Sequence, residues 1–242
     1  MRLSVTFLAT ALLGACSPPS ASVGAPAPSV VRDANGFPDA DRPVAGIVSP
    51  EWSSGPDRDA ADESGQLIRA LAIRPGMSVA DIGAGSGYHT LRLSPAVGPQ
   101  GVIYAEDIVE AYVAGLRHEV ARRNLTNVRI VIGTPDDPKL PTATMDRAVL
   151  VHMYHEIESP YGLLWNLAAA MKPGGLVGVI DLDRKVQNHG TPPALLKCEF
   201  EAVGYRRVSH VDMAGGTGYI AIFEAPTSRP RPVDIKPCKA QP

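Results

Sequence analysis

The 242-residue chain predicts an α/β fold built on a doubly wound, mostly parallel sheet. Three observations carry that expectation. Short apolar runs alternate with stretches of helical period from position 62 to 203. The stretch Val79-Ala80-Asp81-Ile82-Gly83-Ala84-Gly85-Ser86-Gly87-Tyr88-His89-Thr90 reads as a strand, a tight turn and a helix start. Finally, 205–211 and 218–224 read as a closing hairpin around Ala214-Gly215-Gly216-Thr217.

Each element has its own reason. Leu67, Ile68, Leu71 and Ala72 share a helical face over 62–73, and Arg74-Pro75-Gly76 stops that helix. A strand at 77–82 leads into the glycine turn and a helix over 88–96. There the glycines remove Cβ atoms from the backbone's path to a ligand, and the helix start offers N–H groups to an anion. A strand at 102–107 ends in Glu106 and Asp107. Tyr112, Val113, Leu116 and Val120 then mark a helix face ending near Asn124, with strands at 127–132 and 145–151 beyond it. Tyr161, Leu164, Trp165, Ala168 and Met171 form a core-facing stripe, which reads Trp165 as packing. Lys172-Pro173-Gly174-Gly175 closes that helix before a strand at 176–182. Pro192 and Pro193 open a last helix, which runs to 203.

Composition bounds the rest. The length suits one domain with appendages. A net charge of −2 and a pI near 6.3 carry no basic footprint, so no nucleic-acid partner is expected. Residues 1–15 have a basic start and a short apolar run, as a secretory signal does, too short to span a bilayer. Leu13-Gly14-Ala15-Cys16 resembles the lipobox of bacterial lipoproteins. That resemblance implies acylated Cys16 as the mature N-terminus and a periplasmic protein anchored in the outer membrane by lipid alone; an ordinary signal cut after Ala15 is the alternative. Residues 16–46 read as a flexible Pro/Ala/Ser-rich linker, 47–225 as the folded domain and 226–242 as a disordered tail. Trp52 is read as packed on the domain edge. Cys198 reads as a buried small hydrophobe, with pairing to Cys238 open in an exported protein.

Two strings point to a family. Asp81 followed by G-x-G-x-G, together with Met171-Lys172-Pro173-Gly174-Gly175-Leu176-Val177-Gly178-Val179-Ile180-Asp181, resembles the S-adenosylmethionine-dependent methyltransferases with a Rossmann-like fold. The resemblance spans roughly 47–224. It implies seven strands with the last antiparallel, helices on both faces, and S-adenosylmethionine across the ends of strands one to four. Asp81, Gly83, Gly85 and Gly87 would then hold the methionine end, and Asp107 the ribose hydroxyls, with Glu106 next in line. Asp136 is the candidate for adenine, with Asp137 beside it. Thr134 stands where the family most often has an acid, and Pro135 has no N–H to offer.

Methyl transfer needs alignment above all, and a base only where the acceptor must lose a proton. His152, Tyr154 and His155 are the candidates, since they follow the fourth strand where ligands of such sheets bind. Tyr88 and His89 are expected to face the same pocket. No metal is expected: the cysteines lack ligand spacing, and His152, His155 and Glu156 lie on no evident helix. The expected reaction is methylation of a small-molecule acceptor. A non-catalytic binding module competes with it, and a nicotinamide oxidoreductase is disfavoured by the glycine spacing.

Overall fold

The computed structural model describes residues 30–47, 54–216 and 218–239. The signal segment, Cys16 and Trp52 lie outside the described residues. The elements run α1 (Gly55–Ala60), α2 (Glu63–Ala70), β1 (Ser78–Ile82), α3 (Tyr88–Val97), β2 (Val102–Asp107), α4 (Glu110–Arg122), β3 (Val128–Ile132), β4 (Met145–Val151), α5 (Pro160–Ala170), β5 (Met171–Asp181), α6 (Pro193–Ala202), β6 (Arg206–Asp212) and β7 (Tyr219–Glu224). The seven strands form one sheet in the order β3-β2-β1-β4-β5-β7-β6. All neighbours are parallel except β7, which runs antiparallel to β5 and β6. This is the Rossmann-like architecture.

Alternation along the strands divides the core into two layers. Ala80, Ile82, Ala148 and Leu150 face Leu164, Leu167 and Phe200 of α5 and α6. Val79 and Val149 point the other way, onto Leu67 of α2, Leu71 just after it, and Leu93 and Val97 of α3. Central strands covered on both faces must be apolar at successive positions, as β4 is from Ala148 to Val151 and β1 at Val79 and Ala80. The chain leaves β1 for β2 on one side and later returns to β4 on the other. That reversal opens a crevice beyond the carboxyl ends of β1, β2 and β4.

Three boundaries differ from the sequence expectation. β5 begins at Met171 rather than 176, because Met171 pairs with Met145 and the glycines after it occupy a register shift. Residues 226–239 are not a loose tail. Trp165 Nε1 donates to the Pro230 carbonyl at 2.9 Å, Arg229 lies 3.5 Å above the Trp165 ring, and Ile235 is buried. A disulfide joins Cys238 to Cys198 of α6. Residues 30–47 are likewise held: Phe37 enters the core, and Arg42 reaches Glu199 at 2.8 Å in a fully buried pair. Both segments lack hydrophobic period, so composition reads them as loose; the surfaces of α5 and α6 that receive them lie far away in sequence.

Candidate functional site

A cleft of about 570 Å³ opens beyond the ends of β1, β2 and β4. Its floor is the glycine turn. Gly83, Gly85 and Gly87 have φ of 68°, 54° and 90°, the left-handed region that favours glycine. Gly83 and Gly85 line the cleft. Gly87 serves packing instead: a Cβ there would lie 2.4 Å from Leu116 Cδ1, so its bareness lets α4 close on the turn. Asp81 lines the cleft too, and its Oδ2 accepts the Thr90 hydroxyl at 2.6 Å. Burial pushes the Asp81 carboxyl up, against the pull of His89 and Thr90.

The two acids ending β2 are not equivalent. Both Asp107 oxygens are engaged by backbone, Oδ2 by the Gly85 N–H and Oδ1 by the Val109 N–H, each at 2.8 Å. Asp107 thus ties the turn to β2. Glu106 is buried at the cleft, and its Oε1 is a buried acceptor with no hydrogen-bond partner. Burial, then the neighbouring Asp107, pushes the Glu106 carboxyl up to about 8, although the Gly83 N–H pulls against them. The glycine at 133 makes room for it, since a Cβ there would meet Glu106 Oε1. A buried unpaired carboxylate oxygen facing a cleft is costly until a ligand donor meets it. Both acids line the cleft and can accept a ribose hydroxyl, Asp107 through its remaining lone pairs and Glu106 through its unpaired oxygen.

Thr134 and Pro135 line the cleft, while Asp136 is turned aside. The Thr134 hydroxyl donates to Asp136 Oδ1 at 2.8 Å, and Asp136 packs on Gly162. Among the three catalytic candidates the structure separates the roles. His152 sits at φ 54°, lines the cleft, and places Nε2 3.0 Å from Glu63 Oε2. Tyr154 is turned into the core, against Phe200 with ring centroids 5.6 Å apart, where no cleft ligand reaches it. Three residues of a one-turn 3-10 helix point in different directions, and position 154 is the apolar one. His155 is fully buried, with Nδ1 at 3.1 Å from both oxygens of Asp181.

Sequence reasoning missed a hub under the cleft. Glu63 at the start of α2 meets Arg58, His89 and His152 at 2.6, 3.1 and 3.0 Å. Burial would raise this carboxyl, but hydrogen bonds from His152 and His89 and the charge of Arg58 hold it well below the carboxylate range. Burial lowers His89 in turn, favouring its neutral form. His89 Nε2 faces both Arg58 Nη2 at 2.8 Å and Glu63 Oε1 at 3.1 Å, and its Nδ1 lies 3.1 Å from Ser64 Oγ. Arg58 also stacks 3.8 Å from the Tyr88 ring centroid, and Arg58, Tyr88 and His89 all line the cleft. The helical period of 62–73 showed α2 but gave no sign that Glu63 would meet a histidine 89 residues on.

Comparison with known proteins places this geometry. Residues 79–175 match the family described as methyltransferase domain. That stretch resembles a methyltransferase domain. Over 105 residues it is 29% identical to a protein-L-isoaspartate O-methyltransferase of Methanothrix thermoacetophila, covering 43% of this chain and 47% of that protein. Over 142 residues it is 30% identical to a tRNA (adenine(58)-N(1))-methyltransferase of Thermus thermophilus, covering 52% of this chain and 51% of the other. The chain therefore spans about half the length of these relatives. Among solved structures, a SAM-dependent methyltransferase from Aquifex aeolicus superposes with a TM-score of 0.65 at 23% identity, over 70% of this chain and 92% of that one. This likeness is one of fold. The matched stretch contains the glycine turn, both acids of β2 and the histidines after β4.

Proposed function

We propose that the chain is an S-adenosylmethionine-dependent methyltransferase acting on a small-molecule acceptor. S-adenosylmethionine is the cosubstrate. The observation that carries this reading is the junction of β1 and β2: the bare glycine turn, Asp81 and the unpartnered Glu106 oxygen border one cleft. The residues fit the cosubstrate's chemistry. Glu106 accepts from ribose hydroxyls, Asp107 holds the turn in place, and Gly83 and Gly85 allow close backbone approach to the methionine end. Asp81 serves that end too, Gly87 holds the turn against α4, and Asp136 shapes the adenine loop through Thr134. A cleft of about 570 Å³ is of the size that small ligands occupy. Where the acceptor must lose a proton, His152, which lines the cleft and is backed by Glu63, is the base; His155 is fully buried, and Tyr154 is a packing residue.

The protein is exported and held to the membrane through Cys16. The signal-like N-terminus supports this, as does the Cys198–Cys238 disulfide, since such bonds persist in oxidising compartments. Mass spectrometry of the native protein tests it: an acylated Cys16 at the N-terminus supports the anchor, and an unprocessed Met1 removes it.

A second reading, a binding module without turnover, is favoured by Thr134 and Pro135 in the loop after β3. Calorimetric titration of the full chain with S-adenosylmethionine and with its demethylated product decides first. Micromolar binding lost in an Asp81→Ala, Gly85→Val variant supports the methyltransferase. A folded chain that binds neither compound overturns it and leaves the second reading.

A further inference from the structure

At one end of the cleft, His155, Glu156 and His189 bring three potential ligand atoms within 4.8 Å of one another. They come from two segments, the 3-10 turn after β4 and the loop between β5 and α6. Glu156 and His189 line the cleft, and His155 is fully buried beside them. The rings of His155 and His189 meet edge to face, with centroids 5.4 Å apart.

The arrangement behind His155 is more specific than the cluster itself. Its Nε2 lies 3.9 Å from Glu156 Oε1, while Nδ1 faces both Asp181 oxygens at 3.1 Å. Asp181 is anchored in turn, by the Thr191 hydroxyl at 2.7 Å and the Leu182 N–H at 2.8 Å. A carboxylate fixed behind one imidazole nitrogen sets the tautomer and aims the other nitrogen, as it does for metal-bound histidines. Nothing in the glycine turn or the Glu63 hub requires this second, separate carboxylate–histidine pair.

We propose that His155 Nε2, Glu156 and His189 bind one divalent cation of the zinc class, with Asp181 as the carboxylate that orients His155. Two imidazoles and one carboxylate suit zinc or a similar transition metal, whereas magnesium and calcium take oxygen ligands. Tetrahedral ligands at zinc distances stand roughly 3.3 Å apart, so the 3.9 Å between His155 and Glu156 closes by small side-chain rotations. Three protein ligands leave a coordination position open to the cleft. That position takes the oxygen or sulfur nucleophile of the acceptor, a role that rests on the methyltransferase reading; the cation site itself does not.

The test uses the untagged full chain, stripped with a chelator and titrated with Zn²⁺ alone, then with Co²⁺ followed by visible absorption. One equivalent of Zn²⁺ is expected per chain, with Co²⁺ bands of a low-coordinate site. Glu156→Gln and His189→Ala each lower the affinity at least tenfold and erase the bands. His118→Ala, an exposed change on α4, leaves both intact. Failure of the wild type to bind, or unaltered binding in both folded variants, overturns the site. The same samples are titrated with S-adenosylmethionine. Cosubstrate binding without Zn²⁺ binding overturns the cation site alone, and Zn²⁺ binding without cosubstrate binding overturns the methyltransferase reading alone.

Discussion

His155 Nδ1 stands 3.1 Å from each carboxylate oxygen of Asp181, and both residues are fully buried. The pair joins the end of β5 to the turn after β4, so the carboxylate decides which nitrogen His155 turns toward Glu156. Asp181→Asn keeps the shape and removes the charge. It is expected to lower Zn²⁺ affinity by about 10–100-fold, the usual effect of losing an orienting carboxylate. S-adenosylmethionine affinity stays within twofold or so, since the glycine turn is untouched. Parallel calorimetry with the two ligands checks this, and an equal loss of both would mark Asp181 as merely structural.

Glu106 yields a prediction with a definite sign. In the free protein its carboxyl is pushed up to about 8. Ribose hydroxyls donate to the ionised form, so the bound complex holds this group lower, and binding below that pH releases a proton. Cosubstrate affinity therefore rises with pH toward about 8 and levels off above it, by at most about tenfold per pH unit. Glu106→Gln flattens the profile and weakens binding about 10–100-fold at pH 8. Stability moves the other way. An acid raised in the folded state costs nothing below its ordinary value of 4.5, and the cost grows as pH rises to about 8. The Tm gain of Glu106→Gln is thus larger at pH 8 than at pH 5. If Asp107→Asn rather than Glu106→Gln abolishes binding, the ribose contact belongs to Asp107.

The glycines separate backbone strain from crowding. Gly174 has φ 74° with open space where a Cβ would stand, and Gly87 has φ 90° with Leu116 Cδ1 2.4 Å from that point. Gly174→Ala is expected to cost about 1 kcal/mol, the price of a left-handed alanine. Gly87→Ala adds overpacking against α4 and is expected to cost about 2–4 kcal/mol. Urea unfolding of the two variants measures the difference; equal losses would mean that α4 shifts freely.

What was legible in the sequence was local. Seven strands, their helices and the glycine turn follow from patterns a few residues long, because period and turn chemistry are set by neighbours. The site was legible only where it follows the turn. Spacing placed an acid at the end of β2, yet that the Gly85 and Val109 amides hold Asp107 while a Glu106 oxygen stays unpaired shows only in the fold. His152, Tyr154 and His155 looked alike as candidates because they are adjacent. In the fold their partners are Glu63, Phe200 and Asp181, from three different elements. Glu63 and His189 gave no signal at all, since a single polar residue shows its role only beside its partners.

The N-terminal segment carries the last prediction. Arg42 Nε donates to Glu199 Oε1 at 2.8 Å across 157 residues of sequence, with neither side chain exposed. The same guanidinium donates to the Ile157 and Pro43 carbonyls, each at 3.2 Å, and lies 5.6 Å from the Tyr154 ring centroid. It thereby joins 30–47 to α6 and to the loop that follows the cleft histidines. Arg42→Ala leaves Glu199 buried without its cation and is expected to cost about 3–5 kcal/mol. The loss comes from the stranded carboxylate more than from the attraction, because two desolvated charges recover little beyond their own hydration. The double change Arg42→Met, Glu199→Leu removes both charges and keeps the volume, so it restores most of that stability. Thermal and urea unfolding of the three proteins decides. A double variant as unstable as Arg42→Ala would place the worth of Arg42 in its carbonyl contacts, and with it the hold of 30–47 on the loop after β4.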